Sequence, residues 1–403
     1  MRNFFKSLLE FLIGENTKPL VYALIYLLII YFCNLHFISV SFKSDVNYYY
    51  ILLGYLSFSL GLSGFGLSSF LIYEAQNLNI KTLFLLMRFQ LLVLFLLLPV
   101  ILIFIPIADA SYIRIFLICF FLFSQRLNDL GQQYFIQMNE NEEIYKNFYF
   151  FKGLIFLMTY ILSIYHIKLH AIDSMLISYI ISNLFIFFKV FKFQFFNFFE
   201  KFKFKDLLRF KKINLIYSFL ASYIEVILSS SLIFISNVFH NQELLYIYIV
   251  TLRLLSPLVN LNAFLTAKYT KKIINKSFYF REFNFENLFF SLSFILIVFL
   301  YLLLTDFHIL NGLVSKPIFI YFFIFIAISH FLNSIASWLV IYILSNKKFQ
   351  DDFFIKILTI ACFFIILFLI YITQSFILLP FLLFLIPLLR IFYYFFYLSK
   401  KQI

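Results

Sequence analysis

From Pro19 to Leu398 the chain is a succession of apolar runs separated by short polar breaks. A helix rises about 1.5 Å per residue, so roughly 20 apolar residues cross the hydrocarbon of a bilayer. On that criterion the pattern predicts twelve spans, near 19–38, 48–72, 82–105, 111–138, 148–165, 170–190, 213–238, 244–270, 285–304, 317–345, 352–373 and 376–398. Polar residues alone, without proline or glycine, mark the breaks at 138–148 and 165–170. The expected class is an all-α integral membrane protein with about 12 transmembrane helices in two six-helix bundles.

The loops alternate in charge. Arg2, Lys6, Lys18, Lys81, Lys146, the clusters Lys189 to Lys212 and Lys268 to Arg281, Lys347, Lys348, Lys400 and Lys401 fall on one side, against Lys43, Lys168 and Lys316 on the other. Basic residues collect in cytoplasmic loops, which places both termini in the cytoplasm and requires an even number of spans. The longest interruption, 191–212, is basic and carries Phe between its lysines, as expected of an interfacial segment drawn to anionic membrane lipid by about 1 kcal/mol per basic residue. It divides the chain into an N-terminal bundle, 1–190, and a C-terminal bundle, 213–403. A shift of 199 residues lays Ser57, Gly61, Gly64 and Ser68 on Ser256, Asn260, Ala263 and Ala267 with the same spacing. Halves of six spans enter the membrane from the same side, so the repeat is expected to be parallel, related by a pseudo-two-fold axis along the membrane normal.

Composition changes this reading little. The residues are 64% hydrophobic and 13% charged, which leaves no stretch for a separate soluble domain. The net charge of +13 is a matter of orientation in this setting, and no nucleic acid is expected as a partner. Cys33, Cys119 and Cys362 each lie within an apolar run without metal-ligand spacing, so neither a disulfide nor a metal site is expected. Arg2 and Lys6 precede Phe4, Phe5, Leu8, Leu9, Phe11 and Leu12, a pattern that reads as a retained amphipathic helix. Catalysis has no constellation: there is no phosphate-binding Gly-rich loop, no H-E-x-x-H pair, and no external loop beyond roughly a dozen residues.

Two features carry the candidate chemistry. Gly54, Gly61, Gly64 and Gly66, half of the eight glycines, share one span, and with Ser57 and Ser68 they form a small-residue stripe for close helix packing or gating. Charge within the spans is the sharper signal, since each such residue costs about 2.5–3.5 kcal/mol on insertion scales and normally faces a partner or a water-filled path. Arg88, Arg126, Asp129, Glu225 and Arg253 lie within spans. Arg126 and Asp129 are three residues apart and placed to pair, and Glu225 and Arg253 lie at similar depth on consecutive spans, placed to pair across helices. Lys152, Lys356, Arg114 and Arg390 read as interface anchors. Three arginines favour an anionic cargo, because the guanidinium fork donates two parallel hydrogen bonds to a phosphate and keeps its charge. Pro257, four residues after Arg253, predicts a kink beside that cation.

The segment Ser59 to Tyr73 (SLGLSGFGLSSFLIY), continued to Asn77, together with two six-span halves, a basic middle loop and intramembrane arginines, resembles the polysaccharide and O-antigen flippases of the multidrug/oligosaccharidyl-lipid/polysaccharide (MOP) exporter superfamily. The chain departs from that pattern in being short and in having Ser39 to Asn47 where a glycine-containing polar loop is usual. The resemblance implies a V-shaped pair of bundles that moves undecaprenyl-diphosphate-linked oligosaccharide repeat units across the inner membrane by alternating access. It implies no enzyme activity and no cofactor, and it leaves a coupling ion, H+ or Na+, open. Arg88, Arg126 and Arg253 would then bind substrate. Asp129 and Glu225 would orient them or couple to the ion, and Gly54, Gly61, Gly64, Gly66 and Pro257 would serve gating or packing. Other polysaccharide-assembly membrane proteins are implied partners. The alternatives are a multidrug or cation exporter of the same superfamily, in which acidic residues would dominate the cavity, and a membrane glycan polymerase, which needs a long external loop.

Overall fold

The computed structural model describes residues 18–64, 80–104, 112–138, 145–191, 212–238, 240–256, 317–345, 349–375 and 377–399, with positions 258, 292 and 295 besides. Every element among these is helical. That is what a bilayer demands, because it offers no water to a backbone N–H or C=O and a helix satisfies both within one segment. The helices are α1 Lys18–Val40, α2 Lys43–Gly64, α3 Ile80–Phe104, α4 Tyr112–Met138, α5 Lys152–Ile161, α6 Ala171–Phe191, α7 Lys212–Ser229, α8 Ser231–Val238, α9 Gln242–Leu254, α10 Pro317–Ser345, α11 Phe349–Thr373 and α12 Leu378–Ser399. Two π-helical turns, Tyr145–Phe151 and Leu162–His166, extend α5 at either end. Among the described residues, five helical stretches are long and apolar enough to cross a membrane, and α7 with α8 makes a sixth, bent by 44°.

Most expected spans match these helices to within a few residues. The amphipathic segment 2–12, the linker core 192–211, Gly66, Pro257, most of the ninth span and, of the repeat motif, Ser68, Asn260, Ala263 and Ala267 lie outside the described residues. The break at 165–170 has a physical cause in Lys168, whose backbone takes a positive φ of 56° and ends the π-helical turn. The His170 ring then accepts from the Ile172 backbone N–H, and Asp173 sits in the first turn of α6. Between α7 and α8 the run Ser229-Ser230-Ser231 supplies the bend.

The chain forms two compact units. The first comprises Met1–Phe37, Asn79–Leu98 and Ile107–Phe202, and the second Ile38–Leu78, Pro99–Pro106 and Lys203–Ile403. In the first, α6 packs against α4 and α5, and Tyr26 of α1 lies over Gly153 of α5. In the second, α10, α11 and α12 pack on one another, α7 lies on α11, and α2 packs on α7, α8 and α9. Helix α2 falls in the unit that holds the C-terminal helices, because it packs on α7, α8 and α9. The glycines explain this. A Cβ on Gly61 would fall within the Val226 side chain of α7, and one on Gly54 would meet Ile233 Cγ1 of α8 at 3.1 Å. The stripe lets α2 approach the bent span on both sides of its bend, and the Tyr223 hydroxyl donates to the Leu62 carbonyl along the same seam.

Candidate functional site

Three groupings of charge stand within the described helices. In the first unit, α4 turns Ser124, Gln125, Arg126 and Asn128 inward, all but Gln125 buried. Gln125 Nε2 donates to Asp129 Oδ1 at 2.8 Å, and Asn183 Nδ2 of α6 donates to Gln125 Oε1 at 3.0 Å. Arg126 and Lys152 are the cations that act on Asp129. Lys152 directly follows the π-helical turn Tyr145–Phe151 and is buried, so its expected role as an interface anchor is corrected: it serves as a counter-charge inside the unit. Arg88 on α3 is partly exposed in this same unit. Arg114, also expected as an anchor, instead ties the start of α4 to the start of α6 through a two-pronged ion pair, Nε to Asp173 Oδ1 at 2.9 Å and Nη2 to Oδ2 at 3.2 Å.

The second grouping is a chain of alternating charges in the second unit. Arg390 Nη2 and Nη1 of α12 donate to the two carboxylate oxygens of Glu225 on α7 at 3.0 and 3.3 Å. Lys356 Nζ of α11 lies 3.2 Å from Glu225 Oε2 and 3.0 Å from Asp352 Oδ2, one turn before it on the same helix. The Tyr394 hydroxyl, four residues after Arg390, donates to Asp352 Oδ1 at 3.3 Å. Two cations and two carboxylates balance, as a low-dielectric setting requires. The expected pairing of Glu225 with Arg253 is therefore corrected: Glu225 takes Arg390 and Lys356, both expected as interface anchors and both in fact buried. These two cations, with Asp352, are the site residues that the sequence reading missed. Their signal was the four-residue spacing of Asp352 to Lys356, which puts both on one helix face.

The third grouping is what that pairing leaves. Arg253, in the last turn of α9, lays its guanidinium over the face of Tyr50 on α2, with Cζ 4.3 Å from the ring centroid. Such a contact is worth about 0.5–2 kcal/mol, the larger figure when desolvated. Its Nε is buried without a hydrogen-bond partner, and no carboxylate pairs with it among the described residues. α9 holds it rigidly: Asn241 caps the helix by accepting from the Leu244 N–H, and Leu245 to Thr251 are all buried. Asn47 Nδ2 of α2 meets Gln242 at 3.4 Å, so α2 and α9 are joined at both ends of the seam that carries Tyr50 and Arg253. The site therefore offers a positioned cation with unused donors, which suits an anion.

Gly54 and Gly61 pack against α8 and α7 in this arrangement, Gly64 is buried near the end of α2, and Gly66 and Pro257 lie outside the described residues. No group of three or more metal-ligating His, Cys, Asp or Glu occurs among the described residues.

No protein-family model and no curated protein matches the chain. Solved structures do match, over nearly the whole length. One is an outward-facing multidrug resistance MATE family transporter of the MOP superfamily, with a TM-score of 0.61 at 11% identity over 94% of both chains. Another is a mutant of the Vibrio cholerae MATE transporter VcmN, with a TM-score of 0.59 at 14% identity over 95% of both chains. A third is a MOP superfamily transporter from Pyrococcus furiosus, described as having a binding pocket of reverse polarity that suggests a different function, with a TM-score of 0.58 at 11% identity over 96% of this chain and 95% of that one. Likeness at such low identity concerns the fold alone: the chain is an all-helical, multi-pass membrane protein that shares the fold of these structures.

Proposed function

We propose that the protein is an alternating-access transporter of lipid-linked oligosaccharide, carrying undecaprenyl-diphosphate-linked repeat units across the cytoplasmic membrane for surface polysaccharide assembly. The observation that carries this reading is Arg253, a membrane-helix cation stacked on Tyr50 with no carboxylate partner among the described residues. The acid at similar depth, Glu225, is already engaged by two other cations. An arginine in a span costs several kcal/mol unless something compensates it, and a diphosphate supplies the charge and the acceptor geometry. Arg88 and Arg126 extend the same preference in the first unit, where Asp129 would orient Arg126, while Glu225 orients Arg390 and Lys356 in the second. The basic segment 191–212 sits on the anionic cytoplasmic leaflet, and both termini are cytoplasmic.

A multidrug exporter is the second reading, favoured by the names of the solved structures that share the fold. The two separate in the native host. Deleting the gene should accumulate complete lipid-linked repeat units on the cytoplasmic face, read by mass spectrometry with a sidedness probe. Wild-type protein should clear them, and Arg253→Gln at equal membrane abundance should not. An unchanged lipid-linked pool in the deletion strain overturns the flippase reading in favour of the exporter.

A further inference from the structure

We infer that Lys356 and Arg390 form a second anion site in the C-terminal half, whose resting occupant is the Glu225 carboxylate and whose exchange ligand is a phosphate-bearing head group. The inference rests on the anionic-cargo reading and extends it to residues that reading does not use.

The network is asymmetric in a way that a purely structural ion cluster does not require. The side chains of Lys356 and Arg390 are each 9% exposed and Asp352 2%, whereas Glu225, which bridges the two cations, is 47% exposed. An ionised side chain near the middle of a span with about half its surface open is best satisfied by water rather than hydrocarbon on that side. One acid is therefore fixed and the other accessible. Asp352 holds Lys356 from one side at 3.0 Å and is itself held by Tyr394, so Lys356 keeps its place when Glu225 leaves. Arg390 presents Nη1 and Nη2 to Glu225 as the two-pronged fork that also fits a phosphate, and its Nε is buried without a partner. The cations are thus preorganised around a position already filled by an anionic group of matching geometry. Glu225 also has a way out, because it lies less than two turns before the 44° bend between α7 and α8.

Inorganic pyrophosphate is the probe, measured by calorimetry on the full-length protein in detergent. If Glu225 occupies the site, the isosteric neutral variant Glu225→Gln binds pyrophosphate at least tenfold tighter than wild type. Adding Arg390→Gln or Lys356→Gln removes that gain. Glu225→Asp, which keeps the charge but withdraws it by one methylene, gives a smaller gain and covers a failure of Glu225→Gln to fold. Equal or weaker binding in both Glu225 variants, or a gain that survives Arg390→Gln, overturns the inference. Arg253→Gln separates it from the underlying reading. Wild-type binding that is lost with Arg253→Gln but unchanged in the Glu225 variants sinks only this second site. Absence of binding in every protein sinks the anionic-cargo reading with it.

Discussion

The seam between α2 and the bent span gives the most quantitative test, through Gly61→Ala. A Cβ built on Gly61 would lie 2.7 Å from Val226 Cγ1 and 3.0 Å from Cβ, with Cγ2 nearer still. Valine in a helix is confined to essentially one χ1 rotamer, so it cannot swing aside and the backbones must separate. Overpacking of this kind costs about 1–3 kcal/mol, while replacing glycine by alanine in a helix interior returns about 0.8–1 kcal/mol. With three Val226 atoms at or inside 3.0 Å the cost falls in the upper part of that range, and a net loss of about 1–2 kcal/mol is expected. At Gly54 the added atom meets Ile233 Cγ1 at 3.1 Å and Cδ1 at 3.7 Å, contacts relieved by a few tenths of an ångström, so Gly54→Ala should be close to neutral. Unfolding in mixed micelles titrated with denaturing detergent measures both. Val226→Ala removes the methyl groups in the way, so the double variant Gly61→Ala, Val226→Ala should recover about 1–2 kcal/mol relative to the sum of the singles. Gly61→Ala as stable as wild type, or a coupling energy near zero, would refute the packing argument.

Other outcomes follow from the charge groupings. Asp129→Asn removes the carboxylate charge that accepts from Gln125 and is favoured by Arg126 and Lys152, and should cost about 1–3 kcal/mol, the range for losing a charge-assisted hydrogen bond. Lys152→Met, which removes one cation and fills its volume, should cost far less, and equal losses would contradict the assignment. For the Arg114–Asp173 pair, whose side chains are 18% and 19% exposed, Asp173→Asn should lower stability by about 1–2 kcal/mol. The exchange Arg114→Asp with Asp173→Arg should recover part of it. A double-mutant cycle with no coupling would show that the pair does not tie α4 to α6.

The two charge networks bear on the transport reading in different ways. Around Asp129 the carboxylate lies within the influence of Arg126 and Lys152, whereas among the described residues the cluster around Glu225 is balanced at two against two. Neither absorbs Arg253, which keeps donors free in a rigid, mostly buried helix. A bound anion at Arg253 would gain nearly the full charge-assisted contact, because little side-chain entropy remains to be lost where the guanidinium already rests on Tyr50.

Hydropathy alone determined the spans, since a backbone in hydrocarbon must close its hydrogen bonds within one segment and a run of about 20 apolar residues therefore names its own structure. The glycine stripe was legible for the same reason: small residues at three- and four-residue steps line one helix face whatever the fold. Its partner was not, because Gly61 and Val226 are brought together only by the packing of α2 on α7. The charged residues were found but their pairing was not. Sequence gives the depth of a residue along its helix, and by depth Glu225 and Arg253 matched, but it does not give the direction in which the helix turns that residue. The fold decided that direction, sending Glu225 to Arg390, 165 positions away, and laying Arg253 on Tyr50 instead. Local spacing fixed what lies within one helix, such as Asp352 and Lys356, and tertiary packing fixed every contact between helices, because azimuth and neighbour are properties of the bundle and not of the span.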